Sequence, residues 1–179
     1  FSRTTWDLIH TWAGVVMILA AILHFEIHWK WVTKVTGRIV NLSLGGELFT
    51  AACDGEVPAI TSAIEALRSA KIATVVASGN DGSSNATSFP ACISSAISVG
   101  STTKQSAISS FSNSANFLSL LAPGTSITSS LPLAYSSGGF GVASGTSMAT
   151  PHVAGAWAVL KSAKPTATVS EVLAALQNG

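Results

Sequence analysis

The sequence is poor in charge. Nine Lys and Arg face eight Asp and Glu in 179 residues, 9% of the chain, where about a quarter is usual. The net charge of +1 shows no basic or acidic excess, so the balance points to neither nucleic acid nor an acidic partner. Cysteine is scarce. Cys53 and Cys92 are the only two, so at most one disulfide can form, and two buried free thiols stay open as the alternative. No internal repeat is visible. The chain opens on Phe1 rather than Met, which reads as a fragment, a processed form or a partial reading frame, and a signal peptide cannot be judged from it. What the chain does have is apolar residues, 47%, enough for a sizeable core in one ordinary domain. Little charge with this much apolar content suits a secreted or membrane-associated protein better than a cytosolic one.

Composition changes near Thr36 and Gly37. Four of the five Trp and three of the four His lie before that point. Runs of Ser, Gly, Ala and Thr dominate after it. The chain therefore divides into a hydrophobic segment, 1–37, and a second segment, 38–179.

The second segment alternates strand and helix signals. Ile39 to Leu44 is a short apolar strand ended by Gly45-Gly46. Pro58 to Ala70 carries Ile60, Ala63, Ile64 and Leu67 as one helical stripe, with Pro at its start. Ile72 to Ala77 is a β-branched strand stopped by Ser78-Gly79-Asn80-Asp81-Gly82. Strands are expected again at Ile97–Val99 and at Phe117–Leu121, the latter closed by Pro123-Gly124. A long helix follows Gly145. A last one opens with a capping box, Thr168 to Glu171. This pattern predicts an α/β fold of three layers, a mostly parallel sheet with helices on both faces.

One run carries chemistry: Gly145-Thr146-Ser147-Met148-Ala149-Thr150-Pro151-His152-Val153-Ala154-Gly155. Gly145 lets the chain turn into a helix whose first turn holds Ser147. Peptide N–H groups there lack intrahelical partners, and the helix dipole favours negative charge. A serine so placed can attack a carbonyl while its own N–H supports the oxyanion. On spacing alone an N-cap serine is the more ordinary reading of the run.

The run closely resembles the nucleophile motif of the subtilisin-like serine peptidases, the subtilase family. Val40-Asn41-Leu42-Ser43-Leu44-Gly45-Gly46 is similar to that family's substrate-lining strand, and Val76-Ala77-Ser78-Gly79-Asn80-Asp81-Gly82 to its oxyanion-hole loop. Ser95 to Gly100 and Ala122-Pro123-Gly124 stand in the same order. The resemblance spans residues 39–179 and implies the C-terminal part of a catalytic domain acting on polypeptides as a serine endopeptidase. It implies Ser147 as nucleophile and Asn80 as oxyanion donor. Ser43, Leu44 and Gly45 would pair with an extended substrate. Ala77, Ser78 and Gly79 would wall the pocket for the residue before the scissile bond, with room for a large apolar side chain. His152, five residues past Ser147 and about 140° round the helix, is expected to be a packed, hydrogen-bonded residue and not the base. Cys53 and Cys92 become disulfide candidates, with Cα atoms expected within about 7 Å. Calcium is a family possibility that the sequence does not locate. The family places such a domain outside the cell.

The resemblance also marks a gap. A serine nucleophile needs a base and an orienting carboxylate. Subtilases carry these upstream, in Asp-Ser/Thr-Gly and His-Gly-Thr segments. Neither occurs in this sequence. Asp7 and His24 or His28 precede Ser147 in the right order but in unrelated surroundings. The expectation is a chain without useful activity of its own, and a strand at Ile39–Leu44 left as an exposed edge.

The first segment contains an apolar stretch, residues 12–32, of a length that spans a bilayer. It is flanked by Trp12 at one end and Trp29 and Trp31 at the other, although Glu26 counts against a lipid-exposed span. His10, His24 and His28 share one helical face. Together with Leu23 to Trp31 they resemble one helix of a bacterial membrane-cytochrome-like domain, which implies haem as an alternative cofactor. Lys30, Lys34 and Arg38 follow the stretch and only Arg3 precedes it, which would put the remainder in the cytoplasm. That conflicts with an extracellular peptidase, and the two segments read as joined near Gly37. A third reading is a pseudopeptidase that binds peptides along Ser43 to Gly45 without cleaving them.

Overall fold

Residues 39–178 are described by a computed structural model. The expected membrane helix at 12–32 and the haem candidates His10, His24 and His28 lie outside the described residues. Among the described residues no helix is long and apolar enough to cross a membrane.

Four strands form one parallel sheet: β1 (Ile39–Leu42), β3 (Ala73–Ala77), β5 (Ile97–Thr102) and β6 (Leu120–Pro123), in the order β1-β3-β5-β6. Helix α1 (Pro58–Ser69) lies between β1 and β3 in sequence, the crossover that a parallel pair needs. Helices α2 (Thr146–Ala163) and α3 (Val169–Gln177) follow the last strands. Every residue of β3 is buried, which is why it reads as an uninterrupted Ala-Thr-Val-Val-Ala run and not as an alternation.

Side chains alternate across the sheet, and two cores result. Val75, Ile97 and Val99 point to one face and pack with Ala149, Val153 and Trp157 of α2 and Val169 and Val172 of α3. Val76 points to the other and packs with Ile64 of α1 and with Cys53, Cys92 and Ile93. The sequence expectation of helices on both faces therefore holds. Cys53 and Cys92 form a disulfide, with Cα atoms 5.4 Å apart. It joins the segment after β2 (Leu48–Phe49) to the segment after β4 (Thr87–Ser88), two short strands that also pair with each other. β7 (Ile127–Ser130) and β8 (Phe140–Ala143) form a separate antiparallel ribbon. Neither two-stranded element is legible in the hydrophobic pattern.

One strand starts later than the sequence suggests. Phe117 sits in a turn closed by Leu118 N–H donating to the Ala115 carbonyl at 3.1 Å. Just before β6 begins, Ser119 and Ser98 exchange hydrogen bonds: Ser98 N–H donates to Ser119 Oγ at 3.2 Å and Ser119 N–H to Ser98 Oγ at 2.9 Å. Side-chain hydroxyls thus hold the register where a backbone ladder was expected. β1 has one neighbour among the described residues, β3.

The capping box of α3 is present as the sequence predicts. Thr168 Oγ1 accepts from Glu171 N–H at 3.2 Å, and Glu171 accepts from Thr168 N–H at 2.7 Å. That backbone donor first, then the Lys164 ammonium and the Thr168 hydroxyl, lower the Glu171 pKa from 4.5 to about 2. The folded value lies below the unfolded one, so the contribution is full above about pH 4.5 and fades as pH falls toward 2. Thermal melts across pH 6 to 2 are expected to show a steeper acid loss for wild type than for Glu171→Gln. Parallel curves would exclude Glu171 as the cause. The group is fully exposed and screened, so the effect is a small one.

Candidate active site

Parallel strands end on the same side of the sheet, and ligands in α/β folds gather at those carboxyl ends. Three segments meet there: Ser43–Gly46 after β1, Ser78–Gly82 after β3, and Gly124 after β6. The start of α2 is tied to the last of these, because Gly145 N–H donates to the Gly124 carbonyl at 2.8 Å. Ser147, two residues on, is half-buried in the first turn of α2.

Asn80 meets this helix start directly. Thr146 N–H donates to Asn80 Oδ1 at 2.8 Å, and the Thr146 hydroxyl to the same oxygen at 3.1 Å. A backbone N–H can only donate, which fixes the amide orientation. The Nδ2 group of this exposed residue is left facing out, without a partner among the described residues. The Ser147 N–H is likewise unpaired there, as expected for the first turn of a helix. The oxyanion-hole expectation thus finds its two donor groups on adjoining segments. Asn80 and Ser147 line one cavity of ≈ 250 Å³.

That cavity is walled by Leu44, Gly45, Ala77 and Gly79, with Ser88 and Asp81 adding polar groups. Leu44, Gly45, Ala77 and Gly79 are among the residues expected to contact substrate, and the fold brings these four to one cavity. Ser78 lies in the same segment, but its buried hydroxyl donates to the Asn113 carbonyl at 2.8 Å. The hydroxyl of Ser88 stands beside Gly45 and Gly79, so the pocket is more polar than small residues at 77–79 alone suggest.

Sequence reading missed Asn113. It is fully buried and holds the loop after β3 from within. Its Oδ1 accepts from Asp81 N–H and Ser83 N–H, both at 3.0 Å. Its Nδ2 donates to the Ser78 carbonyl at 3.1 Å and to Asp81 Oδ2 at 2.9 Å. One Asn among serines and a turn gives no sequence signal for such a role. Gly79 carries φ 105°, a left-handed conformation that glycine adopts without strain. A Cβ there would collide with Ser88 and Asn113.

On the strand side, the Ser147 hydroxyl donates to the Ser43 carbonyl at 3.3 Å, and the Ser43 hydroxyl donates to the Ser147 carbonyl at 2.9 Å. His152 is hydrogen-bonded as expected, its Nδ1 2.8 Å from the Met148 carbonyl. It is exposed and not packed, because the helix face it occupies borders an open cavity of ≈ 350 Å³ shared with Ser147, Met148 and Ile127. Asp7, His24 and His28 lie outside the described residues. Calcium finds no group of three or more His, Cys, Asp or Glu among the described residues, and no chemical step is assigned to it.

Comparison with known proteins points to one family. The subtilase family matches residues 26–179, a span that begins inside the hydrophobic first segment. An extracellular serine proteinase of Thermus sp. (strain Rt41A) is 43% identical over 148 residues, covering 82% of this chain and 34% of that protein. Subtilisin E of Bacillus subtilis (strain 168) is 38% identical over 146 residues, covering 80% and 35%. The crystal structure of a cold-adapted subtilisin-like serine proteinase superposes with a TM-score of 0.65 at 35% identity, covering 78% of this chain and 47% of that one. The chain therefore spans about a third to a half of the length of these relatives.

Proposed function

Because the chain belongs to the subtilase family, we propose that it is the nucleophile-bearing part of a serine endopeptidase that cleaves polypeptides. Ser147 attacks the scissile carbonyl. The carbonyl oxygen, as it takes up charge, receives hydrogen bonds from Asn80 Nδ2 and from Ser147 N–H, and the helix start adds the favourable end of its dipole. The substrate lies extended against Ser43, Leu44 and Gly45, which offer backbone groups in strand-pairing geometry. The side chain before the scissile bond enters the cavity between Gly45 and Gly79. Ser88 and Asp81 favour a small or polar group there over the large apolar one expected from residues 77–79.

The observation that carries this reading is the bond between Asn80 Oδ1 and Thr146 N–H. It turns the amide so that its Nδ2 group is free, one residue from the nucleophile. The proton of Ser147 needs a base with an orienting carboxylate, for which none of the described residues is assigned. The site of action is extracellular: a Cys53–Cys92 disulfide persists in oxidising compartments.

The test is covalent capture, because a single event accumulates where turnover does not. An alkyl fluorophosphonate is expected to label the protein slowly at Ser147, not at all in Ser147→Ala, and about 10²-fold more slowly in Asn80→Ala, the worth of one oxyanion donor. Labelling that survives Ser147→Ala would refute the assignment. Peptide binding with no labelling at all would favour a pseudopeptidase.

A further inference from the structure

We infer that Ser43 is a positioning residue for Ser147, its hydroxyl taking the place of a helical hydrogen bond that Pro151 removes. The inference rests on the reading of Ser147 as nucleophile only for its catalytic consequence. The contact itself stands on geometry.

In an α-helix the N–H of residue 151 would donate to the carbonyl of residue 147. Pro151 lies inside α2 and has no N–H. The Ser147 carbonyl is therefore left without its helical donor. The two neighbouring carbonyls receive side chains of the helix itself. Thr150 Oγ1 donates to the Thr146 carbonyl at 2.8 Å, and His152 Nδ1 stands 2.8 Å from the Met148 carbonyl. Only the Ser147 carbonyl is reached from another element, by Ser43 Oγ at 2.9 Å.

The donor is itself oriented. Asn41 Nδ2 donates to Ser43 Oγ at 3.0 Å. A hydroxyl has one proton, and with its oxygen accepting from Asn41 that proton is directed at Ser147. The Ser147 hydroxyl in turn donates to the Ser43 carbonyl. Both the main chain and the side chain of Ser147 are thus held against the strand end that offers itself to substrate. The nucleophile and the substrate-pairing edge are fixed to each other, and a helix start that would otherwise fray is pinned where its hydroxyl must be placed. Proline within the helix is what makes this possible, since an intrahelical N–H would compete for the same carbonyl.

The test uses the full chain with ¹³C-carbonyl serine and ¹⁵N-methionine. Ser147-Met148 is the one Ser-Met pair in the sequence, so one correlation reports the carbonyl. Ser43→Ala is expected to move that carbonyl resonance upfield, the direction of a lost hydrogen bond, and Ser43→Thr to restore it. Asn41→Ala, which keeps the hydroxyl but not its orientation, should give a smaller shift of the same sign. Pro151→Ala returns an N–H to the helix, so Ser43→Ala added to it should move the resonance much less. An unmoved resonance in Ser43→Ala, or equal movement in both backgrounds, overturns the contact. For the catalytic consequence, fluorophosphonate labelling should slow about fivefold in Ser43→Ala, the worth of one ordinary hydrogen bond, and recover in Ser43→Thr. Unchanged labelling alongside a shifted carbonyl overturns the positioning role. Absence of labelling in every variant, with the carbonyl pattern intact, counts against Ser147 as nucleophile and leaves the contact standing.

Discussion

A purified polypeptide of these 179 residues is expected to hydrolyse a chromogenic peptide too slowly for a routine protease assay to register, and Ser147→Ala is expected to change nothing that assay can see. The reason is that none of the described residues is assigned as a base for Ser147. A serine hydroxyl is a weak nucleophile until a base takes its proton. In subtilisin, loss of that base alone lowers turnover by about 10⁶-fold, while the oxyanion hole and binding groove preserve roughly 10³ to 10⁴ over water. In this structure the Ser147 hydroxyl donates to the Ser43 carbonyl, which cannot accept a proton in the catalytic sense. His152 has one ring nitrogen on the Met148 carbonyl, and among the described residues no carboxylate orients it. The measurement is steady-state hydrolysis by wild type and Ser147→Ala at equal concentration. Robust turnover that disappears in the mutant would show that the chain contains its own base. His24 with Asp7 would then be the first pair to replace.

Gly79→Ala is expected to destabilise the fold by several kcal/mol. Two independent costs add. The backbone at φ 105° disfavours any side chain by about 1–3 kcal/mol. The new methyl group also strikes Ser88 and Asn113, both buried, and overpacking of this kind costs about 1–3 kcal/mol. Neither neighbour can yield cheaply, because Asn113 makes hydrogen bonds to residues 78, 81 and 83. Against a typical domain stability of about 5–15 kcal/mol, the loss would be plain in urea denaturation as a lower midpoint. Gly55→Ala is the control, since a Cβ there meets nothing within 4 Å. A midpoint for Gly79→Ala equal to that control would show that the loop relaxes in a way the geometry does not allow.

The elements that were legible in the sequence are those set by side-chain periodicity and capping. Helix α1 follows from its apolar stripe behind Pro58, β3 from its β-branched run, and the start of α3 from the Thr168–Glu171 box. Ser147 and Asn80 were found through motifs, because the turn into a helix and the turn after a strand both demand particular residues. The β7–β8 ribbon escaped notice: its strands are four residues each and largely exposed, and half of their residues are Ser, Thr or Gly, so no buried apolar face marks them. The late start of β6 escaped for another reason, since Ser98 and Ser119 substitute for ladder bonds.

By itself, then, the sequence determined where the three helices and the strands of the parallel sheet lie to within a few residues, which family the chain belongs to, and that Ser147 stands at a helix start. These depend on local periodicity and on contiguous motifs. Only the tertiary structure decided what surrounds Ser147. Asn113 reaches the loop after β3 from about 30 residues away, Ser43 reaches Ser147 across 104 residues, and Ser88 adds a hydroxyl to a pocket that residues 77–79 leave apolar. Such contacts are hydrogen bonds between short polar side chains and distant backbone groups, and each such side chain is chemically suited to many partners. Their pairing is chosen by where the parallel strands end, and strand ends are brought together by packing on both faces of the sheet rather than by neighbours along the chain.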